Sequence, residues 1–181
     1  MNEQGLLTFN DGKKKGNLGE QLSRELLFSQ DFIEAKDSEE FLLWTITTSG
    51  PDKFFLDTRN NDNYHEPDVD FLCVDKTSKC EITKVEVKTD YLTYKTGNIF
   101  FECDLTQHSG WGLRSQADYI FYYAIHPDKK YDLYIIKLDE LKQYVKEHPN
   151  LEKKGSERKV DYVKGKLVNI NELLELGIAI K

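Results

Sequence analysis

Two short stretches of the chain concentrate groups that could do chemistry. Glu66-Pro67-Asp68-Val69-Asp70 leads into the apolar run Phe71-Leu72-Cys73-Val74, and Val85-Glu86-Val87-Lys88 follows further along. Carboxylates and a lysine delivered by neighbouring strands can hold a hard divalent cation beside a phosphodiester and orient a water against it. A lysine there also offsets the charge that develops at phosphorus.

Whether these groups converge depends on the elements that carry them. The β-branched and apolar runs 71–74 and 82–87 flank a polar stretch, 75–81, suited to a hairpin connection. With the turn centred near Ser78, residues whose numbers sum to 156 face one another. Asp70 then lies opposite Glu86, and Asp68 opposite Lys88. Side chains alternate along a strand, so these four share one face, with opposed Cβ atoms about 5 Å apart. Val69, Phe71, Val85 and Val87 fall on the other face, as core residues would. A slip of one residue would separate the two sets. The competing interpretation is structural: Glu-x-Lys on an exposed strand is ordinarily a solvated pair, and two opposed carboxylates repel unless a cation or a proton relieves them.

Pro67-Asp68 together with Glu86-Val87-Lys88 resembles the signature of the PD-(D/E)xK nuclease superfamily. Gly16-Asn17-Leu18-Gly19-Glu20-Gln21-Leu22-Ser23-Arg24-Glu25-Leu26-Leu27 resembles the helix that precedes the motif there and supplies a further glutamate, at Glu20. Lys95-Thr96-Gly97-Asn98-Ile99-Phe100-Phe101-Glu102, Ser109-Gly110-Trp111 and Ala117-Asp118-Tyr119 are similar to a phage and prophage branch of that superfamily. The resemblance spans about residues 16–141, with an unfamiliar segment between Phe32 and His65. It implies a restriction-endonuclease-like α/β fold, a mixed β-sheet flanked by α-helices. It also implies a metal-dependent nuclease hydrolysing phosphodiester bonds in DNA with Mg2+ or Mn2+. In that branch the metal acid immediately precedes the apolar strand, which favours Asp70 over Asp68. The implied catalytic set is Asp70, Glu86, Lys88 and Glu20, with Asp70, Glu86, the Val87 carbonyl and Glu20 as metal ligands. Glu102 corresponds to a further acid of the branch, whereas Gln116 stands where it has a small hydroxyl residue.

Glu20 also has a purely local interpretation. Asn17 followed three residues later by Glu20 matches a helix N-cap with its capping-box glutamate, with the helix running over about 18–29. The segment 107–116 holds Gly110, Trp111, Gly112 and Arg114. An aromatic ring and an arginine between flexible glycines suit base stacking and phosphate binding, so Trp111 and Arg114, with Glu102, are candidate substrate contacts. A loop tryptophan is also commonly a plug over the core.

The bulk composition sets limits. A chain of 181 residues with 39% hydrophobic and 12% aromatic content is expected to form a single domain with a sizeable core. That core is expected at about 16–147, with 148–181 a C-terminal extension. No apolar run approaches the length of a membrane span, and Lys13-Lys14-Lys15 is followed by no hydrophobic region, so a cytoplasmic protein is expected. A net charge of −7 argues against a general nucleic-acid binder. The lysine and arginine clusters at 13–15, 153–154, 158–159 and 164–166 are either phosphate grips or solvated surface. Cys73, Cys80 and Cys103 have neither disulfide-framework nor zinc spacing. The four histidines form no metal or nucleophile pattern, and no glycine loop fits a nucleotide phosphate.

The remaining pattern predicts strands over 41–47 and 54–56, a loop at 60–63, and strands at 98–104, 119–125 and 131–137. A helix is predicted over 138–147, a late strand at 167–170, and a last helix over 172–176 capped by Asn171. A structure-selective junction resolvase, which would act as a homodimer, and a non-catalytic nucleic-acid-binding or assembly protein that keeps the fold are the two alternatives to a plain DNA nuclease.

Overall fold

The computed structural model describes residues 9–60, 68–78, 81–105, 110–157 and 162–181, with the side chains at either end of several of these segments not described. Pro67, His65, Cys80, His108, Ser109 and the 158–159 basic pair therefore lie outside the described residues, as do the side chains of Lys13 to Lys15 and Lys153-Lys154.

A mixed seven-stranded sheet organises the chain, in the order β1-β2-β3-β4-β6-β7-β10. Its strands are β1 (Ile33–Glu34), β2 (Lys53–Asp57), β3 (Phe71–Asp75), β4 (Ile82–Asp90), β6 (Tyr119–Ile125), β7 (Tyr131–Lys137) and β10 (Ala179–Ile180). A second sheet of three strands is built from β5 (Asn98–Leu105), β9 (Tyr162–Asn169) and β8 (Lys153–Glu157), in that order. Helices α1 (Phe9–Ser29), α2 (Ser38–Ile46), α3 (Thr93–Thr96), α4 (Trp111–Arg114), α5 (Leu138–Glu147) and α6 (Ile170–Glu175) complete the described elements. This is the α/β class expected, with helices flanking a mixed sheet. None of the described helices is long and apolar enough to cross a membrane.

Both faces of the large sheet are buried, which explains why its strands are nearly continuous apolar runs. On one face Phe55, Phe71, Val85, Val87 and Tyr123 pack against Leu18, Leu22 and Leu27 of α1. On the other, Phe54, Leu56, Leu72, Val74 and Ile120 pack with Phe101 of β5, Leu141 of α5 and Leu173 of α6. Glu86 and Lys88 alternate with Val85 and Val87, so they face the second layer, whereas Asp57 shares the α1 face with Phe55.

Several expectations are corrected. Residues 41–46 form helix α2, not a strand, because Asp37 caps it by accepting from the Glu40 amide at 2.8 Å and Phe41 buries one side against Phe54. Helix α1 starts at Phe9, so Asn17 lies inside it and is no N-cap. The last helix is capped by Asn169, whose side chain accepts from the Asn171 amide at 2.9 Å. Two strands beyond residue 148 pair with the rest of the fold, β9 with β5 and β10 with β7 at the end of the large sheet.

Candidate active site

The hairpin register is the one the sequence implies. Phe71 pairs with Val85, Leu72 with Lys84, Cys73 with Thr83 and Val74 with Ile82, every pair summing to 156. The regular ladder stops at Phe71, and what happens there builds the site. Asp70 lies just before the strand, its amide donating to the Val85 carbonyl at 2.8 Å. Its carboxylate Oδ2 accepts from the Val87 amide at 2.7 Å, taking the place a strand backbone would have filled. The N–H and C=O of a strand residue point to the same edge. The Val87 carbonyl is therefore aimed at the edge that β3 has ceased to cover, next to Asp70.

Asp68 departs from the arithmetic. Its φ of 52° is left-handed, a conformation aspartate tolerates better than most residues, and it ends the strand alternation. The expected opposition of Asp68 and Lys88 is therefore not a direct pair. Asp68 is held in a two-bond fork by Arg114, Nε to Oδ2 at 2.5 Å and Nη2 to Oδ1 at 2.8 Å. The same break puts Val69 in the core on the far side of the sheet from Phe71. Two hydroxyls pin this segment: Ser115 Oγ donates to the Asp68 carbonyl at 2.8 Å and Thr58 Oγ1 to the Val69 carbonyl at 2.5 Å.

Glu86 is 2% exposed. Its Oε1 accepts from Lys88 Nζ, and its buried Oε2 has no hydrogen-bond partner among the described residues. Burial first, then repulsion from Asp70 and Asp68, pushes Glu86 up to about 7 against the pull of Lys88. Asp70 is raised by burial too, opposed by the Val87 amide, Lys88 and Arg59. Burial works to lower Lys88, but the adjacent Glu86 outweighs it, so the ammonium stays charged.

Glu20 reaches the site because α1 lies close on β4. A Cβ at Gly19 would overlap the Thr89 hydroxyl and press on Val87. The Glu20 carboxylate forms an ion pair with Arg59, which also grips Asp57, Nε to Oδ1 at 2.9 Å and Nη2 to Oδ2 at 2.5 Å. Burial, with Asp70 and Asp57 nearby, raises Glu20 in spite of Arg59.

The candidate substrate contacts divide. Trp111 is 6% exposed and packs edge-on against Phe101 at 5.6 Å between ring centroids, so only a small part of its ring reaches the wall of the pocket at this site. Its ring supports Lys88, whose Nζ is 5.2 Å from the ring centroid, a cation–π contact. Arg114 is exposed, and Glu102 lies with it, Lys88, Asp68 and Asp90 around a pocket of about 440 Å3. Gln116 is exposed, while its neighbour Ser115 is buried and donates its hydroxyl to the Asp68 carbonyl. Replacing Trp111 by alanine is expected to cost about 3–5 kcal/mol in stability, the usual range for a buried aromatic. Thermal unfolding would measure this; unchanged stability with weakened nucleic-acid binding would mean the indole stacks on substrate after all.

Asp57, Arg59, Thr58 and Ser115 were not singled out by sequence reasoning. One signal was present: Asp57-Thr58-Arg59 ends an apolar strand with the same acid-x-base spacing as Glu86-Val87-Lys88.

Glu20, Glu34, Asp57, Asp68, Asp70 and Glu86 set six carboxylates against the four cations Arg24, Arg59, Lys88 and Arg114. With every carboxyl ionised, two negative charges are left over in a largely buried cluster. Together with the orphaned Oε2 of Glu86 and the carbonyl edge at Val87, these hard oxygen donors fit Mg2+ or Mn2+. Among the described residues no ready-made cluster of three or more metal-binding side chains is assembled.

No family model matches this chain, no curated protein matches its sequence, and no solved structure matches its fold.

In the metal-free protein Glu86 holds its proton to about 7, against 4.5 for a free glutamate. The folded state therefore binds the extra proton between those values. The associated stability is fully present below the unfolded value and is lost as pH rises through about 7, amounting to about 3 kcal/mol. Unfolding in chelator at pH 5.5 and pH 8 is expected to show about 2 kcal/mol of this loss, the rest having gone below pH 5.5, and Glu86→Gln to remove it.

Proposed function

We propose that this protein is a metal-dependent nuclease of the PD-(D/E)xK type that hydrolyses phosphodiester bonds in DNA. The observation that carries the proposal is the buried Glu86 carboxylate, with Oε2 unpartnered, beside Asp70 and Lys88 at a strand end where the Val87 carbonyl faces outward. A buried acceptor left unmade is costly, and a bound cation is the simplest group that satisfies it together with the surplus negative charge. The motif resemblance of the sequence supports the same reading.

Asp70, Glu86 and the Val87 carbonyl would hold the cation, and Glu20 bears on the centre through Arg59. When bound, Mg2+ or Mn2+ supplies Lewis-acid polarisation of the phosphate and acidifies a water. Lys88 has three N–H donors and gives one to Glu86. Its other donors would reach the attacking water or a phosphoryl oxygen, where the ammonium would offset developing charge. Trp111 beneath it and Glu86 beside it fix its position. Asp70 and Glu86 must both be ionised, so activity should rise with pH through the neutral range.

The test is incubation of the purified protein with supercoiled, linear, single-stranded and branched DNA, and with RNA, each with and without Mn2+. Cation-dependent cleavage of DNA is expected. Cleavage of branched DNA only would assign a resolvase, cleavage of RNA only would redirect the substrate, and absence of a cation-dependent product on all of them would overturn the proposal.

A further inference from the structure

Arg59 is the least expected member of the centre. It follows β2 in a single turn of 3-10 helix, and its side chain is 28% exposed. Its guanidinium spans two elements: Glu20 of α1 on one side and the buried Asp57 of β2 on the other. It lies over the Phe71 ring, 5.3 Å from the centroid. Of its five N–H groups, Nε and one on Nη2 go to Asp57 and one on Nη1 goes to Glu20. Its charge also acts on Asp70, where Arg59 and Lys88 both oppose the rise that burial imposes. Asp70 thus stands between two resident cations, Lys88 on the second-layer face of the sheet and Arg59 on the α1 face.

This arrangement bears on how many metal ions the centre takes. Glu20, Asp57 and Asp70 would together be an oxygen-rich site for a second divalent cation if nothing else neutralised them. Instead the Arg59 guanidinium, fixed by a planar fork and partly buried, already occupies that side, with Arg24 reaching Asp57 from 3.9 Å. The burial of Arg59 works to lower it, but Asp57 and Glu20 outweigh that and hold it charged. A fork of this kind is geometrically specific and is not exchanged for a lysine or a water without loss.

We infer that Arg59 is a built-in second cation: it neutralises Glu20 and Asp57, so that the centre takes one divalent ion, at Asp70, Glu86 and the Val87 carbonyl, and Glu20 is a positioning residue for Arg59, not a metal ligand. The inference rests on the proposed metal-dependent reading. It goes further by assigning the stoichiometry of the centre and the role of Glu20.

The experiment is titration of Mn2+ into the purified protein without nucleic acid, read by calorimetry and by the electron paramagnetic signal of free and coupled Mn2+. The unsubstituted protein is expected to take one ion per chain with no Mn–Mn coupling. Glu20→Gln is expected to keep that ion with affinity changed less than about threefold, whereas losing even an outer supporting group of a metal site costs about tenfold or more. Arg59→Gln is expected to gain a second, weaker ion with spin coupling to the first. Its folding is checked by thermal unfolding, and Glu20→Gln carries the test if Arg59→Gln does not fold. Two ions in the unsubstituted protein, a tenfold loss in Glu20→Gln, or a folded Arg59→Gln that still takes a single ion would overturn the inference and leave the metal reading intact. No Mn2+ bound at all, or binding unaffected by Asp70→Asn, would overturn the metal reading itself.

Discussion

Lys88→Ala is expected to lower Mn2+-dependent cleavage of DNA by about 10²–10⁴-fold, the range for loss of a positioned proton-transfer or charge-stabilising group. The effect should fall on kcat, because the ammonium acts on charge that develops in the reaction. The fold should survive the change. Lys88 sits at the rim of the pocket with its chain over Trp111, and nothing in the core hangs from it. What it leaves behind is Glu86, buried and now without its ion-pair partner. Removing one partner of a buried pair ordinarily costs about 3–5 kcal/mol. Glu86 is already raised to about 7 with Lys88 present, so without it the carboxyl takes up a proton at neutral pH and escapes most of that cost. The Lys88→Ala protein should therefore be near normal in stability at pH 6 and weaker at pH 8. Full metal-dependent activity in this variant would sink the assignment of Lys88.

The second large effect is expected in metal binding, without any substrate. A cation that binds only the folded state stabilises it by about 2.7 kcal/mol at a hundred times its dissociation constant. For a chain of this size that is a rise in Tm of roughly 5–10 °C. Mn2+ should produce such a rise at pH 8 in the unsubstituted protein, and Glu86→Gln and Asp70→Asn should abolish it. Glu86→Gln keeps the shape and removes only the charge, so its loss of response separates a metal ligand from a packing residue. The sign of the pH dependence is set by the same carboxyl: the cation needs Glu86 ionised, so the Mn2+-induced rise should shrink as pH falls below about 7. A rise that persists in Glu86→Gln would move the ion elsewhere.

Part of this site was legible because it depends on local rules. Period-two alternation and a polar connector were enough to place Phe71 against Val85, since the turn length fixes the register of a hairpin and burial of one face forbids a slip. Strands 119–125 and 131–137 were legible as apolar, aromatic-rich runs on either side of the His126-Pro127-Asp128 turn, and helix 138–147 from its apolar residues at 138, 141 and 145. Residues 41–46 were misread because Phe41-Leu42-Leu43-Trp44 is apolar without a clear period, and only the cap at Asp37 and the contact with Phe54 decide that it is a helix.

Other parts depended on contacts between residues far apart in the chain. The left-handed turn at Asp68 redirects one aspartate to Arg114 and leaves Asp70 alone at the ladder end, and Ser115, 47 residues away, holds that turn. The burial of Trp111 was one of two readings open to a Gly-Trp-Gly loop, and the close approach of Gly110 and Gly112 to β5 decides for the plug over the core. Asp57 and Arg59 escaped notice although their spacing repeats that of Glu86 and Lys88.

The sequence by itself determined the hairpin, its register and hence which residues could meet, because alternation and turn length act over a few residues. Only the tertiary structure decided which of them do meet, and in what charge state. Glu86 is buried with one oxygen unpartnered, Asp70 replaces a missing strand, and Arg59 holds Glu20, because burial and electrostatics depend on every element packed around a group, and those elements come from the whole length of the chain.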